Sequence, residues 1–348
     1  MLVRATYLVF FFIAIGAAEI SACTVFYAAD GDTVLVGNNE DYFNPRTKIW
    51  LFPAEKGRYG RVYFGWENEY DNFPMGGMND QGLFFDWLAV PPFSLGPDKE
   101  KDSAHVASAF AKKMMETCST VEEAVRLHKT IDKSGRWPAV AIVGDAMGNC
   151  ALIEGDQYVE KGANEKYFVA TNFRQSITQP AERNCPRYQL VRNMLSSTPA
   201  FTVDLFRKEL FETHAETPGA TLYSNIYDLK KRTVLVYHFH DFEEHYLLDL
   251  DKELRKGEQV IDLPSLFKPS IVAQSYQNGL SNSEPVVPVP PVRNLHEYVG
   301  KYGSEDYFVE IKLRGEDLWA EPSIGLRCQM VPTADDQFRI CRLGTKKD

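Results

Sequence analysis

The sequence has no cluster of basic residues, no Cys-x-x-Cys pair and, after an apolar start, no second long apolar run. The formal net charge is −10. An acidic chain without a basic patch is a poor partner for nucleic acid or for an anionic membrane surface. The cysteine spacing excludes the usual structural zinc sites, and no later segment is long enough to cross a bilayer. We expect no metal and no organic cofactor.

The first 22 residues have the features of a secretory signal peptide. An early cation, Arg4, precedes a short apolar run, and two small residues stand directly before Cys23. This pattern predicts cleavage just before Cys23 and a secreted or periplasmic protein without an integral membrane segment. A membrane anchor is the alternative interpretation. It is disfavoured because the run is short for a bilayer and Glu19 interrupts it.

The same leader also resembles a bacterial lipoprotein site, in which the cysteine is acylated on its sulfur and its amine. A lipidated Cys23 would make the protein a tethered, non-catalytic binding module. A lipoprotein cysteine is usually followed by a flexible polar tether, whereas strand-like sequence begins here at Thr24. Both interpretations stay open, and the strand-like continuation favours a buried cysteine.

Beyond Cys23, strand-like and helical stretches occur in blocks: strands, two helices, strands, two helices and strands again. Blocks of this kind predict an α+β fold rather than alternating βαβ units. Ser119 with Glu122 forms a capping-box pattern at one helix start. Pro186 suits the first turn of another helix.

A stretch rich in Pro and Ser, residues 276–292, predicts an extended linker. It divides the chain into a domain over residues 23–275 and a small β domain over residues 293–348. In an exported protein, Cys328 and Cys341 are the natural local disulfide pair. That pairing leaves Cys23 and three other cysteines, and the count does not decide which thiols are free.

Three histidines, His238, His240 and His245, stand close together in "YHFHDFEEH". Two of them are spaced to share one face of a strand, and carboxylates follow, as in some metal sites. No third ligand has a convincing spacing. We therefore interpret these histidines as strand-end packing and surface residues.

A cysteine at the start of a mature chain has its own base. The thiolate is the nucleophile, and a thiol needs a base to form it. The free α-amine has a pKa of about 7.7–8.0, so it can accept the thiol proton near neutral pH. It can later pass that proton to a leaving amine. A first-position Cys23 would therefore need no histidine.

Several short motifs follow Cys23 in a set order. They are "CT" after the leader, "GNNEDY", "MNDQGL", "ATNF" and "CPRY". In this order they resemble the N-terminal-nucleophile hydrolases of the choloylglycine hydrolase, penicillin V acylase and acid ceramidase superfamily. More narrowly, they resemble the linear-amide hydrolases and acyl-coenzyme A:6-aminopenicillanic acid acyltransferase relatives. The resemblance covers roughly residues 23–250 and implies an αββα sandwich.

The resemblance also implies roles for single residues. Cys23 would be the nucleophile, Asp41 would orient its α-amine, and Asn172 would help to build the oxyanion hole. Arg187 would lie beside the thiolate and favour its charged form. Asn79 and Trp87 would belong to the substrate-binding region, by their places in and after the Gly-Leu turn.

One departure bears on the substrate. Asn38 stands where many bile-salt hydrolases and ceramidases have arginine, which argues against those two substrate classes. The sequence thus predicts an exported cysteine amidohydrolase or acyltransferase. It would cleave a linear, non-peptide C–N bond of a small N-acyl amide through a thioester on Cys23. Water and a second amine both stay open as the acyl acceptor, and no oligomeric state is predicted.

Overall fold

The structure is a computed structural model. It describes residues 23–42, 44–66, 74–97, 104–216, 219–270, 273–274, 294–303, 308–315, 317–322, 328–334 and 337–343. The predicted leader (residues 1–22) and linker (residues 276–292) lie outside these residues, so both stay predictions. Two large antiparallel sheets form the main body and share one apolar core.

The first sheet has six strands in the order β10-β1-β2-β11-β12-β13. These strands are β1 (Thr24–Asp30), β2 (Thr33–Asp41), β10 (Tyr167–Ala170), β11 (Thr221–Asp228), β12 (Thr233–His238) and β13 (Asp241–Asp249). A tight turn joins β1 to β2, with Gly31 in the left-handed region at φ +58°. The first strand is therefore internal, between β10 and β2.

The second sheet has eight strands in the order β14-β3-β4-β5-β6-β7-β8-β9. Its strands are β3 (Thr47–Phe52), β4 (Arg61–Trp66), β5 (Pro74–Asn79), β6 (Phe84–Leu95), β7 (Gly135–Gly144), β8 (Cys150–Glu154), β9 (Gln157–Glu160) and β14 (Gln259–Asp262). The predicted turn after Asn79 joins β5 to β6.

Helices cover the outer faces of both sheets, namely α1 (Ala104–Thr117), α2 (Val121–His128), α3 (Pro186–Ser197) and α4 (Val203–Thr213). The short α5 (Leu250–Leu254) instead packs Leu250 into the core between the sheets. The buried faces of α1 and α2 pack on the eight-stranded sheet, and those of α3 and α4 pack on the six-stranded sheet. The layers are therefore helix, sheet, sheet, helix. The predicted α+β class and αββα sandwich are confirmed.

Alternation along β1 and β2 decides which layer each side chain enters. Val25 and Tyr27 pack between the sheets, whereas Phe26 packs against the helices. On β2, Val36 packs between the sheets and Leu35 packs against the helices. Successive side chains on a strand point to opposite faces. The polar residues at the end of β2 therefore also point alternately to the core between the sheets and to the helices.

The helix starts agree with the sequence, with one shift. Helix α3 begins at Pro186, as predicted. At α2 the N-cap is Thr120, whose side chain accepts a hydrogen bond from the main-chain N–H of Glu123. The Glu123 carboxylate in turn accepts from Ser119. The predicted pairing of Ser119 with Glu122 is therefore wrong by one residue, because Thr120 supplies the same kind of hydroxyl one position later.

A third sheet of five strands occurs near the end of the chain, in the order β15-β16-β17-β18-β19. Its strands are β15 (Gly300–Gly303), β16 (Phe308–Arg314), β17 (Asp317–Pro322), β18 (Cys328–Ala334) and β19 (Gln337–Leu343). The side chains of Cys328 and Cys341 are outside the described set, so their pairing and the domain boundary stay predictions. No helix in the described part of the chain has the length and apolarity of a membrane span.

Replacing Gly82 by alanine should destabilise the fold more than replacing Gly31. Both glycines have positive φ, and a left-handed alanine costs about 1–2 kcal/mol. A Cβ on Gly82 would also lie 2.5 Å from the Leu229 carbonyl oxygen, whereas one on Gly31 meets nothing within 4 Å. That overpacking should add about 1–3 kcal/mol to the loss in unfolding free energy, measured in urea. Equal losses for the two variants would contradict this account of Gly82.

Candidate active site

Cys23 lies directly before β1, and only 5% of it is exposed. Its side chain belongs to the apolar core between the two sheets. The thiol donates a hydrogen bond to Oε1 of Glu40, with a sulfur–oxygen distance of 3.4 Å. The strand register explains this contact: Thr24 pairs with Asn39, which brings Glu40 opposite Cys23.

The pKa of the Cys23 thiol is raised well above its usual value. Burial is the largest cause, and the negative charges of Glu40, Asp41 and Asp86 add to it. The main-chain N–H of Asp41 acts in the opposite direction. Because only the thiolate is a good nucleophile, this buried thiol needs a proton acceptor close by.

A polar bridge joins the two sheets next to this thiol. Nδ2 of Asn38 on β2 donates a hydrogen bond to Oδ2 of Asp86 on β6, with a nitrogen–oxygen distance of 2.5 Å. Burial raises the pKa of Asp86, and the charge of Glu40 raises it further. Gly76 is the β5 partner of Asp86, and a Cβ there would overlap Oδ2 of Asp86. The glycine therefore leaves room for the Asp86 carboxyl group.

Arg187 holds several groups together on the other side of Cys23. One terminal nitrogen donates to the carbonyl oxygen of Cys23 at 3.3 Å and to Oγ1 of Thr24 at 2.9 Å. The other donates to Oδ1 of Asn172 at 3.3 Å. Oδ2 of Asp41 lies 3.9 Å from the first nitrogen. One guanidinium group thus contacts the main chain of Cys23 and three neighbouring side chains.

Arg187 contacts Cys23 through its main chain, and its predicted effect on the thiolate stays a prediction. The family resemblance implies a position beside the thiolate, but the guanidinium contacts the carbonyl of Cys23 and side chains near it. Arg187 lies in the first turn of α3, which packs on the outer face of the sheet. The thiol points to the inner core instead. The carboxylates of Glu40, Asp41 and Asp86 raise the pKa of the thiol and so oppose thiolate formation.

Asp41 and Asn172 are both held in place at this end of the sheet. Oδ1 of Asp41 accepts a hydrogen bond from the Thr221 hydroxyl, with an oxygen–oxygen distance of 2.5 Å. Asn172 lies two residues after the end of β10, and its Nδ2 donates to the carbonyl oxygen of Ala89 at 2.8 Å. The structure therefore brings together four of the predicted site residues, namely Cys23, Asp41, Asn172 and Arg187.

Asn79 lies elsewhere. Its Nδ2 donates to the carbonyl oxygens of Met115 (3.1 Å) and Cys118 (2.8 Å) at the end of α1. Its Oδ1 accepts from the main-chain N–H groups of Gln81 (3.1 Å) and Leu83 (3.0 Å). Because these four bonds close a turn and attach a helix to it, Asn79 is placed as a structural residue.

Trp87 also points away from the thiol. It is buried with the side chains of α1 and α2, and its ring meets Phe85 edge-on with centroids 6.4 Å apart. Asp86 and Trp87 are neighbours on one strand, so their side chains face opposite sides of the sheet. Asp86 faces Cys23, and Trp87 faces the helices. The structure therefore brings neither Asn79 nor Trp87 to the thiol.

Glu40 and Asp86 are two site residues to which the sequence motifs assign no role. A sequence signal for them exists in the strand pattern. Asp86 occupies an inward position of β6, and the inward residues on either side of it, Phe84 and Leu88, are apolar. Glu40 continues the inward series on β2 that includes Val36. A carboxyl group at an inward position of a buried strand is costly to bury. Its presence therefore indicates a site in which neighbouring groups compensate for that cost.

The histidines and the other thiols lie apart from this cluster. His238 stacks on Phe267, His240 stacks on Phe239, and the ring of His245 meets that of Tyr237. Over the described part of the chain, no group of three His, Cys, Asp or Glu side chains is arranged to hold a metal ion. Cys23 and three further cysteines, Cys118, Cys150 and Cys185, are free thiols.

Replacing Asn79 by alanine should lower stability rather than substrate affinity. The change leaves buried main-chain groups without partners, which should cost at least about 2 kcal/mol of unfolding free energy. Gln81→Ala is the control in the same turn, because that side chain is exposed and bonds its neighbour Asp80, and the change should cost less than about 0.5 kcal/mol. Unchanged stability of Asn79→Ala together with a raised KM would assign Asn79 to substrate binding instead.

Known structures share this architecture, although no family model and no curated protein matches the sequence. The structure is similar to penicillin V acylase from Agrobacterium tumefaciens, with 17% identity, a TM-score of 0.51 and coverage of 69% of this chain and 91% of that one. It is also similar to a mutant form of conjugated bile acid hydrolase from Clostridium perfringens, with 14% identity, a TM-score of 0.52 and coverage of 72% and 97%. The chain therefore has the fold of the N-terminal-nucleophile hydrolases that include these two enzymes.

Proposed function

We propose that the protein is an exported cysteine amidohydrolase that cleaves a linear, non-peptide amide bond of a small N-acyl compound. One observation carries this proposal: Asp41, Asn172 and Arg187 are gathered at the main chain of Cys23, a buried cysteine with a free thiol directly before an internal strand. The similarity to penicillin V acylase and conjugated bile acid hydrolase supports the same reaction class.

Before any reaction, the residues that precede Cys23 are removed, which frees its α-amine. That amine takes the proton of the thiol, and the sulfur attacks the amide carbonyl carbon. The carbonyl oxygen becomes an oxyanion, and Asn172 is the side chain proposed to stabilise it. Collapse of this intermediate breaks the C–N bond, and the α-amine returns the proton to the leaving nitrogen. Water then hydrolyses the thioester on Cys23 and releases the acid.

Arg187 has a positioning role in this scheme. Its guanidinium fixes the carbonyl of Cys23 and the amide of Asn172 at the same time. The nucleophile and the proposed oxyanion donor are therefore held by one rigid group. Precise placement of reacting groups accounts for a large share of catalytic rate enhancement. Asp41 lies within reach of the same guanidinium, where its charge favours a protonated α-amine after the thiol has reacted.

The burial of Cys23 argues against the lipid-anchored alternative. The thiol is enclosed by the core and bonded to Glu40. An acyl-glyceryl group on Sγ would have to displace both. An unmodified catalytic thiol can keep its place in the core and its hydrogen bond to Glu40. The burial of Cys23 therefore supports the enzyme hypothesis over the tethered binding module.

Replacing Cys23 by alanine should abolish amide hydrolysis and leave the fold intact. We expect a loss of at least roughly 10³-fold in kcat, since removal of a nucleophile leaves only binding and oxyanion contributions. Release of amine from a panel of N-acyl amides, measured by mass spectrometry, reports the activity. Cys118→Ala is the matched control, because that thiol is equally buried, at 5% exposure, but lies against helix α1. Full activity in Cys23→Ala would refute the proposal.

The exported protein should begin at an unmodified Cys23. Intact mass and N-terminal sequencing of protein recovered from its export route measure this directly. The expected N-terminal peptide begins at Cys23 and has no adduct. A lipid-bearing cysteine, or a chain that keeps its first 22 residues, would remove the α-amine from the mechanism and contradict it.

A further inference from the structure

Glu40 has no part in the mechanism above, yet it bonds directly to the nucleophile. Its Oε1 accepts the hydrogen bond of the Cys23 thiol at 3.4 Å. Its Oε2 is buried, and the side chain of Asn38 is the nearby donor that acts on this carboxyl group. Oε1 is therefore the oxygen placed to take the proton of the thiol.

Charged and titratable groups surround Glu40 from several elements. They are Cys23 before β1, Asp41 and Tyr42 at the end of β2, Asp86 on β6, and Tyr223 and Tyr227 on β11. The pKa of Glu40 is raised to about 8, mainly by burial and also by the charge of Asp41, while hydrogen bonds with the side chains of Cys23 and Asn38 lower it. Its proton affinity is thus much closer to that of a thiol than an exposed carboxylate's would be.

Asp86 and Arg187 also lie near Cys23, but their hydrogen bonds go to groups other than the sulfur. Asp86 has its Oδ2 in the bridge to Asn38. Arg187 contacts the carbonyl of Cys23 and lies on the helix side. Of the carboxyl groups that act on the thiol, Glu40 is the one that accepts a hydrogen bond from the sulfur.

We propose that Glu40 is a second proton acceptor for the nucleophile, on the inner side of the sandwich. The S–H bond of Cys23 breaks, an O–H bond forms at Oε1 of Glu40, and the electron pair stays on sulfur. The pair keeps a single negative charge throughout, so no new charge is created in the core. This step rests on the proposed function only in taking Cys23 as the nucleophile.

The step has a consequence for the chain before cleavage. In the 348-residue chain the nitrogen of residue 23 is an amide, which is no base. Glu40 is present whether or not the leader is removed. The thiol of the full-length chain should therefore already react with electrophiles, although the α-amine is absent.

Alkylation of the full-length chain with iodoacetamide tests this. The rate at Cys23 is followed by mass spectrometry of the peptide that contains it, which separates it from the other cysteines. In the wild-type protein the rate should rise as the pH passes about 8, where Glu40 becomes a carboxylate. In Glu40→Gln the rate at that pH should fall by about tenfold or more, and this part of the pH profile should disappear.

The sign of the effect decides between two roles for Glu40. As a mere negative neighbour, Glu40 raises the pKa of the thiol, so its removal would speed alkylation. A faster or unchanged rate in Glu40→Gln would overturn the proposal. Glu209→Gln is the matched control, because Glu209 is a buried carboxyl group on α4 with a pKa raised by burial to about 9. Its substitution should leave the Cys23 profile unchanged.

Circular dichroism and thermal unfolding show whether Glu40→Gln folds. If it does not, the S–H Raman band of Cys23, taken as the difference between wild type and Cys23→Ala, gives a second test. A hydrogen-bonded thiol shifts this band to lower frequency, and a band in the position of an unbonded thiol would overturn the proposal. Alkylation needs no amide substrate, so its result is independent of whether Cys23→Ala abolishes hydrolysis.

Discussion

The two-residue alternation of side chains along β1 and β2 controls everything else at this site. It sends the Cys23 thiol and Glu40 into the core between the sheets, while the carbonyl of Cys23 meets Arg187 on the other side. A shift of register by one residue would exchange these surroundings. The antiparallel pairing of β1 with both β2 and β10 fixes that register, because the strand is held from two sides.

The inner side of the site is built from groups that are costly to bury. Glu40 and Asp86 are almost fully enclosed, and burial raises the pKa of each carboxyl group. A buried carboxyl group without an opposite charge opposes folding unless it is protonated or hydrogen-bonded. The bond from Asn38 to Asp86 and the bond from Cys23 to Glu40 partly offset this penalty. Structures keep such groups mainly where chemistry uses them, which separates this cluster from the apolar core around it.

The outer side follows a different physical rule. Arg187 is always charged, and its planar group presents several donors in fixed directions. It joins the main chain of Cys23, the Thr24 hydroxyl and the Asn172 amide. Cys23 thus sits between the guanidinium network of Arg187 and the buried carboxyl groups of Glu40 and Asp86. The cation positions the residue through its main chain, and the carboxylates act on the sulfur.

The sequence alone determined the block order of strands and helices, the start of α3 at Pro186 and the strand that follows Cys23. These features depend on local spacing of apolar, turn and capping residues, which a single chain displays. The order of the motifs also pointed to Cys23, Asp41, Asn172 and Arg187, which the fold brings together. Only the tertiary structure decided that Trp87 faces the helices, that Asn79 closes a turn, and that Asp86 crosses from the facing sheet to Asn38. These contacts join residues far apart in the chain, and they exist only once the two sheets have packed face to face.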